Sequence, residues 1–148
     1  MKPFIDWFKK LFQGPRSKDS EKTKQESSNF DNIFVGEVLS VAKHPNADRL
    51  KLAQVKVGDK IVGPIVCGGP NLAQGQKVAI AFIGAKLIDQ HDPEKRMMTL
   101  GKAKIRGVES QGMICSELEL GLGNDRAGIM VLDSSLKSGV PLTEALNL

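Results

Sequence analysis

From residue 34 to residue 108 the apolar positions fall in short runs, and none of them recurs at helical spacing for long. "FVGEVLSVA" (34–42), "LKLAQVKVG" (50–58) and "QKVAIAFIG" (76–84) are rich in β-branched residues and each has the length of a strand. Between them, "KIVGPIVCG" (60–68) carries Pro64, which has no N–H for a ladder and so suits a sheet edge or a bulge. A fifth run is "GKAKIRGV" (101–108), and Gly or Pro marks every junction. Helical period is confined to "CSELELGLG" (115–123) and "VPLTEALNL" (140–148).

Five short strands at this spacing predict an all-β domain, a five-stranded closed barrel of the OB type with short helices. The N-terminal part reads differently. In "MKPFIDWFKKLF" the residues Phe4, Phe8, Leu11 and Phe12 stand at i, i+4, i+7 and i+8, Ile5 and Trp7 widen the stripe, and Lys9 and Lys10 lie outside it. The pattern predicts an amphipathic helix over residues 1–13. The mixed-charge stretch that follows has no residue able to enter a core, and predicts a flexible linker over 14–29. The folded domain is then 30–148.

Composition adds limits. A chain of 148 residues and 16.0 kDa is the size of one domain. No apolar run reaches the roughly 18 residues of a membrane span, and the N-terminus lacks a secretory pattern, so the chain reads as soluble and cytoplasmic. Two histidines and two well-separated cysteines, Cys67 and Cys115, give no four-ligand metal set; the thiols read as buried and reduced. The formal charge of +4 is unevenly spread. Residues 86–106 carry six bases against three acids, whereas 107–148 carry two bases against six acids. A local basic patch of this kind attracts polyanions, though it is also what a solvated face looks like.

Candidate chemistry is sparse. His44 and Asp48 in "KHPNADR" would face each other on a helix, but Pro45 and Asn46 break one there, so a catalytic pair is not indicated. Asn46 and Asp48 are expected to tie a rigid loop with their side chains. Ser116 and Glu119 have the spacing of a helix capping box. "GGP" (68–70) lacks the spacing and the Lys-Ser/Thr of a phosphate loop, and no nucleophile elbow or dinucleotide fingerprint is present. No enzyme and no cofactor are indicated. The basic strand is more informative. Lys102, Lys104 and Arg106 alternate with Ala103, Ile105 and Gly107, so a strand there sets three cations on one face, roughly 6.6 Å apart, as a run of phosphates would require.

Taken together, "VGEVLSVAKHPNADRLKLAQVKVG", "IVCGGPN", "GQKVAIAFIGAKL" and "KAKIRGVESQGMICSELELGLG" resemble the tRNA-binding OB domain of aminoacyl-tRNA synthetases. They are most similar to the N-terminal module of the bacterial phenylalanyl-tRNA synthetase β subunit. The likeness covers residues 34 to about 132, and the segment 86–103 is longer than the hairpin usual in that family. The chain stops at Leu148, without a synthetase's catalytic parts, and its Met1 start suits a separate small protein.

The resemblance implies a noncatalytic module that recognises tRNA shape. With no Tyr in the chain and only Phe30, Phe34 and Phe82 in the domain, base stacking is a poor means, and cations on phosphates and 2′-hydroxyls fit better. Arg49, Lys51, Lys86, Lys102, Lys104 and Arg106 are the expected contact residues, with Ser110, Met113 and Ser116 as family-motif residues around them. Besides tRNA, the expected partners are an aminoacyl-tRNA synthetase, a membrane surface or protein touching residues 4–12, and a second copy in a homodimer. The rival reading is a protein-docking module whose RNA contact is incidental.

Overall fold

The computed structural model describes residues 30–125 and 127–148. The helix expected over 1–13 and the linker over 14–29 lie outside the described residues.

Three long strands make an antiparallel meander: β1 (Ile33–His44), β2 (Ala47–Val57) and β3 (Lys60–Cys67). β4 (Lys77–Ala81) returns to the free edge of β1, and two short strands, β9 (Met113–Ile114) and β10 (Val131–Leu132), pair with β4. Two small ladders stand apart from this sheet: β5 (Lys86–Ile88) with β6 (Met97–Thr99), and β7 (Ala103–Ile105) with β8 (Val108–Ser110). The two helical segments are short, α1 (Glu117–Leu120) and α2 (Leu142–Leu146), and they sit where the sequence showed helical period.

Side chains from both faces of the main sheet enter a core, although β2 and the ends of β1 and β3 keep exposed positions. One face packs Val38, Ala53, Val55, Ile65, Cys67, Val78 and Ile80 together. The other face packs Val35, Leu50, Val66, Ala79 and Ala81 against Leu87, Ala103 and Ile105 from the two small ladders and Leu100 between them. The small ladders are thus a second layer, carried on the outer core. Bulges in β1 after Val38 and before His44 bend the strand so that it can serve both β2 and β4.

The all-β, OB-like class is as expected, but the barrel is not the closed five-stranded one. Run 101–108 is not a barrel strand. Arg106 and Gly107 both have positive φ, 51° and 89°, as a two-residue type I′ turn requires, and the chain folds back at once into the β7–β8 hairpin. β9 takes its place on β4. Along the β3 edge no ladder closes the sheet among the described residues. Pro64 lacks an N–H, and the seam is held by isolated bonds: Gln111 N–H donates to the Pro64 carbonyl at 2.9 Å, and Val66 N–H donates to Ser110 Oγ at 2.9 Å. Pro64 therefore does stand on an edge strand, preceded by a cis peptide bond.

Candidate nucleic-acid interface

The β7–β8 hairpin sorts its side chains as alternation predicts. Ala103 and Ile105 are buried, while Lys102, Lys104 and Arg106 are exposed. One acid shares this surface: Glu109 is the cross-strand partner of Lys104, and its Oε2 lies 3.6 Å from Lys102 Nζ.

Two short contacts fasten the hairpin tip to the β1–β2 turn. Asn46 N–H donates to His44 Nδ1 at 3.0 Å, which leaves the ring proton on Nε2; from there it is donated to the Ile105 carbonyl at 2.9 Å. The Asn46 side-chain amide donates to the Arg106 carbonyl at 2.9 Å. His44 is buried with both ring nitrogens engaged, and it works as a strut between hairpins. The Asn46 side chain, expected to tie its own loop, bonds the second hairpin instead, and within the loop only its backbone N–H is engaged, by His44. Asp48 does not tie the loop either: it is exposed and, among the described residues, forms no side-chain hydrogen bond, because residue 48 is already the second residue of β2 and points outward.

The β1–β2 register brings in a cation that sequence reasoning missed. His44 pairs with Ala47, and a regular hairpin would next pair Lys43 with Asp48. The register shift between Lys43 and His44 instead places Lys51 opposite Lys43. A base faces a base where an acid could have stood. Like charges directly across a ladder are unfavourable by a few tenths of a kcal/mol up to about 1 kcal/mol, and an anion between them removes that penalty. Arg49, two residues before Lys51 on the same strand, is also exposed. No signal in the sequence fixes a bulge of this size, so Lys43 could not be singled out.

The remaining candidates fall elsewhere. Lys86 is exposed on β5, beside a shallow cleft with Phe30, Ile88, Met97 and Glu119, and is not brought onto the β7–β8 hairpin. Ser110, Met113 and Ser116 are buried. Ser110 Oγ accepts from Val66 N–H and donates to the Gly112 carbonyl at 2.8 Å, closing the β3 seam. Met113 packs in the outer core. Ser116 caps α1 in a complete capping box with Glu119. Asn71 of "CGGPN" is likewise engaged, its side chain bonding both the N–H and the carbonyl of Ile129 at 3.0 Å. These motif residues hold the frame from within.

The long segment between β5 and β6 is locally bound. Arg96 Nε donates to Asp92 Oδ2 at 2.7 Å, and Glu94 N–H donates to Oδ1 at 2.9 Å. The Arg96 bond first, and that backbone bond second, hold the Asp92 carboxyl down at about 2, below its ordinary 3.8. Lys95 Nζ reaches the Gln90 carbonyl at 3.5 Å, so both bases of this loop are drawn into its own hydrogen bonding. Among the described residues no cluster of His, Cys, Asp and Glu could hold a metal ion, and Cys67 and Cys115 are buried free thiols. No described helix is long and apolar enough to cross a membrane.

Residues 33–141 match the family model described as "Putative tRNA binding domain". Relatives similar to this chain include three β subunits of phenylalanine–tRNA ligase. That of Salinibacter ruber is 45% identical over 130 residues, covering 86% of this chain and 16% of the relative. That of Bacteroides thetaiotaomicron is 42% identical over 128 residues, covering 86% and 15%. That of Wolinella succinogenes is 50% identical over 117 residues, covering 77% and 14%. The chain therefore spans about a sixth of the length of the curated relatives it matches.

Proposed function

This chain belongs to the tRNA-binding domain family, and we propose that it is a noncatalytic module that binds tRNA through its sugar-phosphate backbone. The observation that carries this reading is the fastened pair of hairpins. Lys102, Lys104 and Arg106 project from a hairpin whose other face is core, and His44 and Asn46 lock it to the ladder that bears Lys43, Arg49 and Lys51. Cations on anchored backbone lose little freedom on meeting phosphates, and they read shape rather than bases. Stacking is not supported. Phe34 and Phe82 are half-buried against each other, with centroids 6.0 Å apart, and lie toward the other end of β2.

Lys86, Ser110, Met113 and Ser116 enter the proposal differently. Lys86 is a peripheral cation at most, and the other three maintain the frame behind the contact surface. A titration of folded tRNA at several salt concentrations tests the whole reading. With three to five phosphates neutralised, log K should fall with log salt at a slope of about −2 to −4.5. A flat response, or no binding at low salt, would instead favour docking on a protein such as a synthetase.

A further inference from the structure

We propose that the apolar segment of residues 4–12 docks, within the same chain, into a cleft walled by Phe34, Val57, Val62 and Phe82. This cleft has a volume of about 360 Å³. Its walls are continuous with the core cluster of Val38, Val55, Val78 and Ile80, since all four residues pack against it. Its floor is bare backbone. A Cβ on Gly139 would stand 2.6 Å from Gly58 Cα, so Gly139 cannot carry a side chain to fill the space, and Gly58 has a φ of 65°, which disfavours one there. Beside it Ile83 is half exposed, next to the wall residue Phe82. Nothing among the described residues covers the cleft.

The segment has the matching chemistry and the reach. Six of the nine residues 4–12 are apolar, four of them aromatic, and the one acid among them, Asp6, can meet Lys60 on the cleft rim. The chain arrives at this side of the domain, where Phe82 N–H donates to the Asn32 carbonyl at 2.9 Å, two residues before Phe34. Residues 14–29 extend over about 50 Å at full stretch, against a radius of gyration of roughly 13 Å for a domain of this size, so the tether imposes no limit. A tether of this length supplies an effective concentration on the order of millimolar. Even a weak apolar fit is then mostly occupied before a dilute outside partner competes for it. The proposal is independent of the tRNA reading, because the cleft lies at the Val57 end of β2 and the proposed contact surface at the Ala47 end.

Trp7 is the only tryptophan in the chain and reports on the segment directly. In the 148-residue chain its emission should be blue-shifted and its acrylamide quenching several-fold slower than that of exposed indole, unchanged on dilution and on adding anionic vesicles. Val62→Lys should restore exposed emission and fast quenching while the β-domain keeps its far-UV signature. Should that variant unfold, NOEs between the Trp7 indole and the methyl groups of Val57 or Val62 in the unsubstituted chain decide the matter. Exposed Trp7 in the parent, burial that vanishes on dilution, burial that appears only with lipid, burial untouched by a folded Val62→Lys, or absent NOEs would each overturn the proposal.

Discussion

The two ends of β2, roughly 33 Å apart along the strand, are built on opposite principles. At the Ala47 end the turn is fixed by directional bonds, from His44 and Asn46 to backbone carbonyls of a second hairpin, and the side chains left pointing outward are cations. At the Val57 end the turn is fixed by close packing of Gly58 on Gly139, and the side chains left at the surface are apolar. Directional bonds to backbone carbonyls hold the turn without using the lysine side chains, so a charged surface can be carried on a fixed frame. Glycine packing spares nothing to project, and leaves a hollow. One ladder thereby presents a cation-bearing edge and an apolar recess, distant enough to be altered separately.

The largest expected effect comes from stripping the basic end. Lys102→Ala and Lys104→Ala combined with Arg106→Asn should weaken tRNA binding about a hundredfold near 0.15 M salt and flatten the salt slope by about 2 to 3. Asn is chosen at 106 because φ there is 51°, a conformation that Asn tolerates better than other non-glycine residues. Trp7 fluorescence, reading the apolar end, should not move. Weakening confined to one tRNA would point to base contacts instead of backbone, and an unaltered affinity would remove this hairpin from the interface.

Next in size is the strut. His44→Ala deletes a buried side chain and strands the Ile105 carbonyl and the Asn46 N–H, which should cost about 2–3 kcal/mol of unfolding free energy. Asn46→Ala, losing one exposed bond, should cost nearer 1 kcal/mol. In both variants the cations remain, so affinity at low salt should fall much less than in the triple variant. If His44→Ala left thermal stability unchanged while abolishing binding, the histidine would be a contact residue and the contrast between bonding frame and charged surface would fail.

How far these two ends could be read in advance differs, and the reason is physical. Alternation placed Lys104 outward between the buried Ala103 and Ile105, because period two is a local property of any strand, whereas Arg106 is exposed by the turn it occupies. The capping box at Ser116 was legible for the same local reason, being set by spacing within a few residues, whereas the Asn46 side chain bonds Arg106, 60 residues away, which no local spacing shows. Lys43 was not legible, since its partner is decided by a bulge. Nor was the fate of run 101–108, whose two-residue turn at Arg106–Gly107 carries an arginine in a left-handed conformation that no pattern signalled. The cleft was invisible because it joins Phe34, Val62, Phe82 and Gly139 across more than a hundred residues of sequence. The family resemblance put Ser110 and Ser116 around the contact surface, but both are buried and bonded within the frame.

The smallest predicted effect concerns Glu109, the acid seated among the cations. Its pair with Lys102 spans 3.6 Å between side chains that are 49% and 73% exposed, so solvent screens it and its loss should alter stability by no more than about 0.5 kcal/mol. The effect on binding has the opposite sign. Across the β7–β8 ladder Glu109 also faces Lys104, and a carboxylate there repels the same phosphates that the two lysines attract. At a few ångströms in a water-like dielectric such a repulsion is worth somewhat under 1 kcal/mol, so Glu109→Gln should tighten tRNA binding about two- to fivefold at low salt, with the gain shrinking as ionic strength rises. The apolar end should again be silent, with Trp7 unmoved. Tightening that persisted undiminished at high salt would mean that the glutamine makes a new hydrogen bond to RNA. Weaker binding would mean that Glu109 positions Lys102 and Lys104, and that the charged end, like the frame behind it, depends on orientation as well as on charge.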